Sequence, residues 1–391
     1  MSLAAPHVAA VILNWNQEAL TADCLASLRN VEPSCLKVIL VDNGSLPESV
    51  DRLERDFPEV TLVRLSENRG FAGGNNAGIE RALKEGASHI LLLNNDTLVQ
   101  PTFLQPLLDG LDNPGVGVVG PRIYHHPGVH RIWFAGGMID WKTGRQWHLG
   151  AGEIDQGQWS VPRDVDYVTA CCLLAPARVF QEVGGLDERY FIYFEETDWN
   201  LRARARGYRC RYVPDSRIYH KVSQAMKTGS PTADYYYARN RLLFFLTHAP
   251  SRYRFWLIAI YTARSLRFAF TLRGRGLMQN ADAVVRGIRD FYGSQLVSLA
   301  IFGSYARGEN KWDSDLDLFI VLESWSGKGR MKRVDDFVQN IEGYLDQQED
   351  LAKKTSPNQA RIDLSPLLLD RTEAESFLPL YLDMVEDRLI L

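Results

Sequence analysis

The stretch Ile90-Leu91-Leu92-Leu93-Asn94-Asn95-Asp96-Thr97 constrains this chain more than any other. A short apolar run that ends abruptly in amides and a carboxylate reads as a buried strand of a parallel sheet. Open α/β sheets hold their ligands beyond the carboxyl ends of their strands, so Asp96 stands where a nucleotide or a metal ion would be held. Taken alone, Asn-Asn-Asp is also good turn chemistry. The other strand ends overturn that plainer reading.

Val8–Leu13 is strand-like and ends at Asn14-Trp15-Asn16, after which Leu20, Cys24, Leu25 and Leu28 recur at helical spacing. Val38–Val41 is a second strand, ending at Asp42-Asn43-Gly44-Ser45. Ser45 with Glu48 makes a capping box, predicting a helix from Glu48 to about Phe57. Val60–Leu65 is a third strand, followed by the glycine-rich stretch Glu67 to Asn76 and a helix from near Gly74 to about Lys84. The Asp96 strand comes next. This β-α-β-α-β-α-β alternation predicts a parallel sheet with right-handed crossovers. Each strand ends in a polar residue suited to a nucleotide. Asp42 is placed to accept from a ribose hydroxyl or a base N–H. Gly70, Gly73 and Gly74 let backbone approach a ligand, and a helix start near Gly74 offers free N–H groups to an anion. This half has no G-x-G-x-x-G and no Walker lysine, so neither a dinucleotide fold nor a P-loop is indicated.

With 391 residues, two domains is the natural division. A content of 46% hydrophobic and 24% charged residues excludes a disordered chain. The net charge of −4 argues against wholesale nucleic-acid binding, and no nucleic-acid partner is expected. Five cysteines (Cys24, Cys35, Cys171, Cys172, Cys210) show no C-x-x-C spacing. They fit buried thiols in a reducing compartment, not a zinc site or a disulfide framework. The first apolar run lacks a basic flank and reads as a strand, not a signal peptide. The longest apolar stretch, Phe255 to Phe270, is interrupted by Arg264 and Arg267 and is too short to span a bilayer. A cytoplasmic location is expected, with attachment to the inner face of the membrane open.

Further on, Tyr193-Phe194-Glu195-Glu196-Thr197-Asp198-Trp199-Asn200-Leu201-Arg202 predicts a helix start with Glu195, Asp198 and Arg202 on one face. An acidic first turn is also what the helix dipole favours at a solvated end, but the flanking aromatics argue against full solvation. Val213-Pro214-Asp215 leads to Ile218-Tyr219-His220-Lys221, and a lone histidine such as His220 is more often structural than a ligand.

In order, the Val-Ile-Leu-Asn-Trp-Asn strand end, Val-Asp-Asn-Gly-Ser, Asn-Arg-Gly-Phe-Ala-Gly-Gly-Asn, Leu-Leu-Leu-Asn-Asn-Asp-Thr and Tyr-Phe-Glu-Glu-Thr-Asp-Trp-Asn-Leu-Arg recur over residues 7–245. This series resembles the inverting GT-A glycosyltransferases of family 2, especially their rhamnosyltransferase-like branch. The resemblance implies an α/β, Rossmann-like nucleotide-diphospho-sugar transferase domain over residues 1–235, with a mixed, mainly parallel sheet. It implies that Asp42 binds the nucleoside, with Asn14, Asn16, Asn68, Gly70, Gly73, Asn75, Asn95 and Arg202 also at the nucleotide. Asp96 would be the surviving metal-binding acid of a D-x-D-type motif whose first acid is here Asn94, and His220 would complete the metal site. Glu195 or Glu196 would be the base, Glu196 standing where the family often has Asp, with Asp198 beside them. The cofactor implied is Mn²⁺ or Mg²⁺; the partners are a UDP- or dTDP-sugar donor and a glycan or lipid-linked acceptor.

Residues 236–280 change character, carrying aromatics and arginines with no acidic residue between Asp234 and Gly276. Helices packed on the catalytic domain and a helix lying in a membrane interface fit this pattern equally. Over residues 281–391, Leu296–Ile301 is a strand leading into Phe302-Gly303-Ser304-Tyr305-Ala306-Arg307-Gly308 and then Ser314-Asp315-Leu316-Asp317-Leu318. Alternation along a strand puts the Asp315 and Asp317 carboxylates on one side, and Asp363 offers a third acid. This stretch resembles the minimal nucleotidyltransferases of the polymerase-beta superfamily, small α+β domains. That resemblance implies phosphate contacts from Gly303 and Ser304, two Mg²⁺ ions on Asp315, Asp317 and Asp363, and transfer of a nucleoside monophosphate from an NTP such as ATP. It also allows a non-catalytic, antitoxin-like module that binds a protein partner.

Overall fold

The computed structural model describes residues 7–32, 35–128, 130–222 and 229–293, and the strands at 296–302, 316–322, 364–370 and 389–390. Its contacts divide into two units. The first comprises Met1–Asp140 and Arg145–Thr228; the second comprises Trp141–Gly144 and Gly229–Leu391.

In chain order the first unit runs β1 (Val8–Asn14), α1 (Glu18–Leu28), β2 (Leu36–Asn43), α2 (Pro47–Asp56), β3 (Thr61–Leu65), α3 (Gly70–Lys84), β4 (His89–Asn94) and β5 (Thr97–Val99). It continues with α4 (Leu104–Leu111), β6 (Val116–His125), β7 (Ile132–Phe134), β8 (Gly137–Asp140), β9 (Arg145–His148), β10 (Arg163–Val165), β11 (Cys172–Pro176), α5 (Ala177–Val183), α6 (Glu195–Ala205) and β12 (Arg209–His220). The main sheet has the order β10-β12-β6-β11-β4-β1-β2-β3, with β5 joined to β12 and β7 to β6. Strands β3, β2, β1 and β4 are mutually parallel. Strand β11 enters antiparallel to β4, and β12 returns parallel to β6, making the sheet mixed.

The apolar runs of β1, β2 and β4 are buried along most of their length, as strands covered on both faces require. Asn14 is in register with Asp42, and Leu13 with Asn94. The polar strand ends thus share one edge of the sheet. Cys24, Cys171, Cys172 and Cys210 are buried free thiols, and Cys35 is half-buried.

Two local expectations fail. The Ser45–Glu48 capping box does not form, because α2 starts at Pro47 with Leu46 at its cap and no side-chain cap bond. Proline suits the first helical position, where its missing N–H is no loss, and this leaves Ser45 one residue too early. Its hydroxyl instead accepts from the Asn16 backbone N–H at 3.0 Å and from Asn14 Nδ2 at 3.2 Å. The helix expected near Gly74 starts four residues earlier, at Gly70, so the glycines lie within it. Each of Gly74 and Gly78 admits no Cβ: one would meet Leu13 at 2.4 Å or Val11 at 2.3 Å. These glycines seat the helix on the sheet.

The second unit holds three helices, α7 (Pro231–His248), α8 (Ser251–Gly274) and α9 (Met278–Tyr292), then β13 (Leu296–Phe302), β14 (Leu316–Leu322), β15 (Leu364–Asp370) and β16 (Leu389–Ile390). Ser230 caps α7 by accepting the Ala233 N–H at 3.2 Å. The four strands form a sheet in the order β15-β14-β13-β16, with β14 and β15 parallel and the other pairs antiparallel. No helix among the described residues is long and apolar enough to cross a membrane.

Candidate functional site

A cleft of about 260 Å³ opens at the carboxyl edge of β1, β2 and β4. Its walls include Leu13 from β1 with Trp15 and Gln17 after it, Asn43 from β2, Asn68, Gly70 and Phe71 around the start of α3, Asn94 at the end of β4 with Asn95 and Asp96 after it, and Phe191 to Tyr193 before α6. His220, at the end of β12, also lines it. Five residues expected from sequence therefore line one space together with Asp96: Asn68, Gly70, Asn75, Asn95 and His220.

Asp96 is buried, and His220 Nε2 lies 3.1 Å from each of its carboxylate oxygens. Strand β5 pairs Thr97 with His220, and the Lys221 N–H donates to the Asp96 carbonyl at 2.8 Å. The two side chains are thus fixed by ladder geometry although 124 positions separate them. The other ring nitrogen of His220 and the Asn94 side-chain oxygen are buried with no hydrogen-bond partner among the described residues. Trp133 meets the His220 ring edge-on at 4.5 Å between centroids. A carboxylate oxygen and an imidazole nitrogen are a fitting partial donor set for Mn²⁺ or Mg²⁺. The described residues hold no group of three or more such side chains, so an ion here needs further oxygens from a ligand or water.

Other expected residues lie behind the walls. Asn14 is fully buried and accepts from Thr21 Oγ1 at 2.8 Å, while Asn16 accepts from the Leu46 N–H at 3.0 Å. Asp42 is buried and accepts weakly from the Ser45 N–H at 3.3 Å. Arg202 donates to Asp198 at 2.7 Å and to the carbonyls of Val183 and Gly185 at 2.9 and 2.8 Å. Together with Trp199, stacked on Phe180 at 4.4 Å, this pair anchors α6. Gly303, Ser304, Asp315 and Asp363 fall outside the described residues. Asp317 lies on β14, in register with Phe302 and Ser365.

The expectation of free N–H groups at the start of α3 is overturned. The Gly70 N–H donates to Asn68 Oδ1 at 2.8 Å, and the Phe71 and Ala72 N–H groups donate to the Phe191 carbonyl at 2.6 and 3.2 Å. Protein oxygens already fill most of that helix end. Asn76 extends the junction: its side chain accepts the Leu186 N–H at 2.8 Å, donates to the Leu186 carbonyl at 2.9 Å and to Glu188 at 3.1 Å. The glycine-rich stretch is therefore a brace for the segment leading to Glu195 and Glu196. That segment is tightly bent, with Phe191, Tyr193 and Phe194 at positive φ of 62°, 69° and 75°. Such backbone strain concentrates at functional sites. Sequence reasoning assigned no role to Asn43, Asn76 and Phe191; the aromatic run Tyr190, Phe191, Tyr193 and Phe194 was the available signal near the last of them.

Gly70 has φ +72°, and a Cβ there would sit 2.5 Å from Phe191. Gly70→Ala is expected to cost at least about 1–2 kcal/mol for the backbone alone, and Asn76→Ala roughly 2–3 kcal/mol for its buried bonds. Both variants should melt several degrees lower and lose turnover, measured by thermal denaturation beside a transfer assay. Unchanged melting in both would remove the brace.

Glu195, the first residue of α6, is 4% exposed, and one of its oxygens has no hydrogen-bond partner among the described residues. Burial raises its carboxyl well above the usual range, and the neighbouring Glu196 charge raises it further. Burial raises Glu196 as well, opposed by the backbone N–H groups of Glu196 and Thr197. Burial also pushes the Cys171 thiol up; the charges of Asp96 and Glu196 add to it. The Cys171 carbonyl accepts the Asn94 N–H at 3.0 Å.

The structure thus places a ligand-sized cleft at the strand ends of a mixed α/β sheet, with a buried carboxylate–histidine pair on its wall. The fold is GT-A-like: the chain superposes on the crystal structure of GalNAc-T7 with UDP, GalNAc and Mn²⁺ at a TM-score of 0.52 and 14% identity, covering 76% of this chain and 60% of that one. Residues 9–173 match the model of Glycosyl transferase family 2, and this part of the chain is a domain of that family. Residues 283–383 match the Nucleotidyltransferase domain model, so the chain carries a second domain of that type. The chain is 26% identical to the dTDP-rhamnosyl transferase RfbF of Shigella flexneri over 245 residues, 61% of this chain and 79% of that protein. It is 28% identical to the N-acetylglucosaminyl-diphospho-decaprenol L-rhamnosyltransferase of Mycobacterium tuberculosis over 245 residues, 56% of this chain and 76% of that protein.

Proposed function

We propose that residues 1–235 form a metal-dependent inverting glycosyltransferase that moves a sugar, rhamnose by preference, from a dTDP- or UDP-sugar to a glycan or lipid-linked acceptor. The observation that carries this reading is the buried Asp96–His220 pair, 3.1 Å apart, on the wall of the strand-end cleft. The activities named for the two relatives favour a dTDP-linked donor and a diphospho-lipid acceptor. The Mn²⁺ named for the structural neighbour agrees with a divalent ion.

Asp96 and His220 would hold the ion, leaving positions for donor diphosphate oxygens. A divalent ion there neutralises the charge that develops on the leaving diphosphate. Trp15, Phe71 and Tyr193 supply ring faces along the cleft, and Asn43, Asn68 and Asn75 its hydrogen-bonding groups. Glu196 acts as the base: it takes the proton of the acceptor hydroxyl as that oxygen bonds to the anomeric carbon and the sugar–phosphate bond breaks on the opposite face, inverting the centre. Glu195, buried beside it, keeps a proton and so leaves one negative charge on the pair. The same reading gives the second domain transfer of a nucleoside monophosphate from ATP or another NTP; Asp315, Asp317 and Asp363 would hold the Mg²⁺ that neutralises the triphosphate charge.

The test is sugar transfer from labelled dTDP-rhamnose and UDP-sugars to a diphospho-lipid acceptor, with and without EDTA, alongside label transfer from α-labelled ATP. Metal-dependent transfer from one donor is expected. A rate that EDTA leaves untouched would end the metal reading, and no label from ATP in wild type and Asp317→Ala alike would end the nucleotidyl-transfer reading.

A further inference from the structure

Strand β7 carries a bulge close to the cleft. It pairs antiparallel with β6, Phe134 opposite Ile123 and Ile132 opposite Tyr124, which leaves Trp133 as the extra residue between them. A residue inserted in this way bends its strand and re-aims its side chain, and such bulges gather beside active sites. Here the indole lies against His220, with 4.5 Å between ring centroids and 79° between ring planes. His148 of β9 meets the same indole at 5.0 Å and 67°.

Backbone hydrogen bonds hold the bulge from its other edge. The Ile132 N–H donates to the Glu153 carbonyl at 2.9 Å, the Gly152 N–H to the Ile132 carbonyl at 2.8 Å, and the Ala135 N–H to the Leu149 carbonyl at 3.0 Å. The segment so joined is pinned in turn by a buried ion pair. Arg122 on β6, 3% exposed, donates to Asp155 and to the hydroxyls of Tyr124 and Tyr212 at 3.2 and 3.0 Å. A charge is buried at tolerable cost only when it is paired and hydrogen-bonded in this way, so the frame around Trp133 is firm. Burial pushes the His148 imidazole down to about 4. At neutral pH it is an uncharged ring, with no charge to repel a nearby cation.

A histidine that ligates a metal usually donates its second ring N–H to a carboxylate or carbonyl, which fixes the plane of the ring. His220 has no such bond among the described residues, since its Nδ1 is buried without a hydrogen-bond partner. The lone pair offered to an ion lies in the ring plane, so a rotated ring points it away. We propose that Trp133 is a positioning residue: its packing, in place of that hydrogen bond, holds the His220 ring so that Nε2 faces a divalent ion beside Asp96. Trp133 is outside the cleft lining and acts through His220. The inference rests on the metal reading of the Asp96–His220 pair and deepens it.

Titration of Mn²⁺ into the full chain, with free Mn²⁺ read by electron paramagnetic resonance, tests it on the portion of binding that Asp96→Asn removes. Trp133→Leu is expected to weaken that portion about tenfold, the lower end of what losing an outer partner costs a metal site. Trp133→Phe, which restores a flat ring, should recover most of the affinity. Trp133 is half-buried, so both variants should fold. In the transfer assay, Trp133→Leu should raise the KM for Mn²⁺ while kcat at saturating Mn²⁺ holds, the mark of lost binding alone. Trp133→Leu that binds Mn²⁺ like wild type, while Asp96→Asn does not, overturns the positioning role and leaves the metal site standing. A Phe variant as weak as the Leu variant does the same, as does a fall in kcat at unchanged KM. Mn²⁺ binding indifferent to Asp96→Asn overturns this proposal together with the metal reading beneath it.

Discussion

Asp96→Asn is expected to lower the rate of sugar transfer by roughly 10²–10³, the scale seen when one charge-stabilising group is removed from an active site. Asparagine keeps the shape of the side chain and its place beside His220, so the fold should survive. What it removes is the negative charge that draws a divalent ion into a buried setting. The same variant should lose the rise in melting temperature that Mn²⁺ with dTDP or UDP gives the wild type, because a ligand that binds only the native state must stabilise it. Wild-type rates, or a metal-dependent shift that persists in Asp96→Asn, would show that the cleft works without this acid.

The glutamate pair gives the second large effect, with different outcomes for its two members. Glu196→Gln should slow transfer by ~10²–10⁴, the usual worth of a positioned base, whereas Glu195→Gln should slow it less. Burial raises both carboxyls, so the acid limb of kcat/KM should lie above the ordinary carboxylate range near pH 4. The stability effect has a definite sign. A carboxyl whose folded pKa is raised binds its proton more tightly in the native chain. Its stabilising contribution is complete below the unfolded value, about 4.3 for Glu, and is lost as pH rises through the folded value. Glu195→Gln should therefore melt higher than wild type at pH 8, with the gain vanishing toward pH 4. Equal differences at both pH values, or a Glu195 variant slower than the Glu196 one, would reverse the assignment.

The parallel half of the sheet was legible because buried strands leave continuous apolar runs, and those runs stop where the site begins. Asn14, Asp42 and Asn94 could be placed at one edge from sequence, and the register agrees. The antiparallel insertion of β11 left no such mark: Cys172 to Pro176 is as apolar as a parallel strand. The Ser45 capping box was misread because its spacing fits the motif while Pro47 takes over the helix start. The site divided in the same way. Asp96 was singled out because it follows the end of an apolar strand, and His220 through the family resemblance; the structure sets the two side by side. Asn76 and Phe191 were not singled out, because their partners are distant in sequence and a glycine-rich turn looks like a phosphate cradle until its N–H groups are followed.

The closure of the α3 end by the Phe191 carbonyl has a consequence for how this protein can diverge. The glycine-rich turn and the segment bearing the glutamates lie 110 positions apart between Asn76 and Leu186, yet they share one set of hydrogen bonds. A side chain added at Gly70 is tolerable only if Phe191 shrinks or shifts, and a loss at Asn76 leaves Leu186 and Glu188 to find other company. Across relatives, the two stretches should change as linked pairs, so a lineage that altered its donor cleft would have had to redraw the approach to its glutamates in the same step.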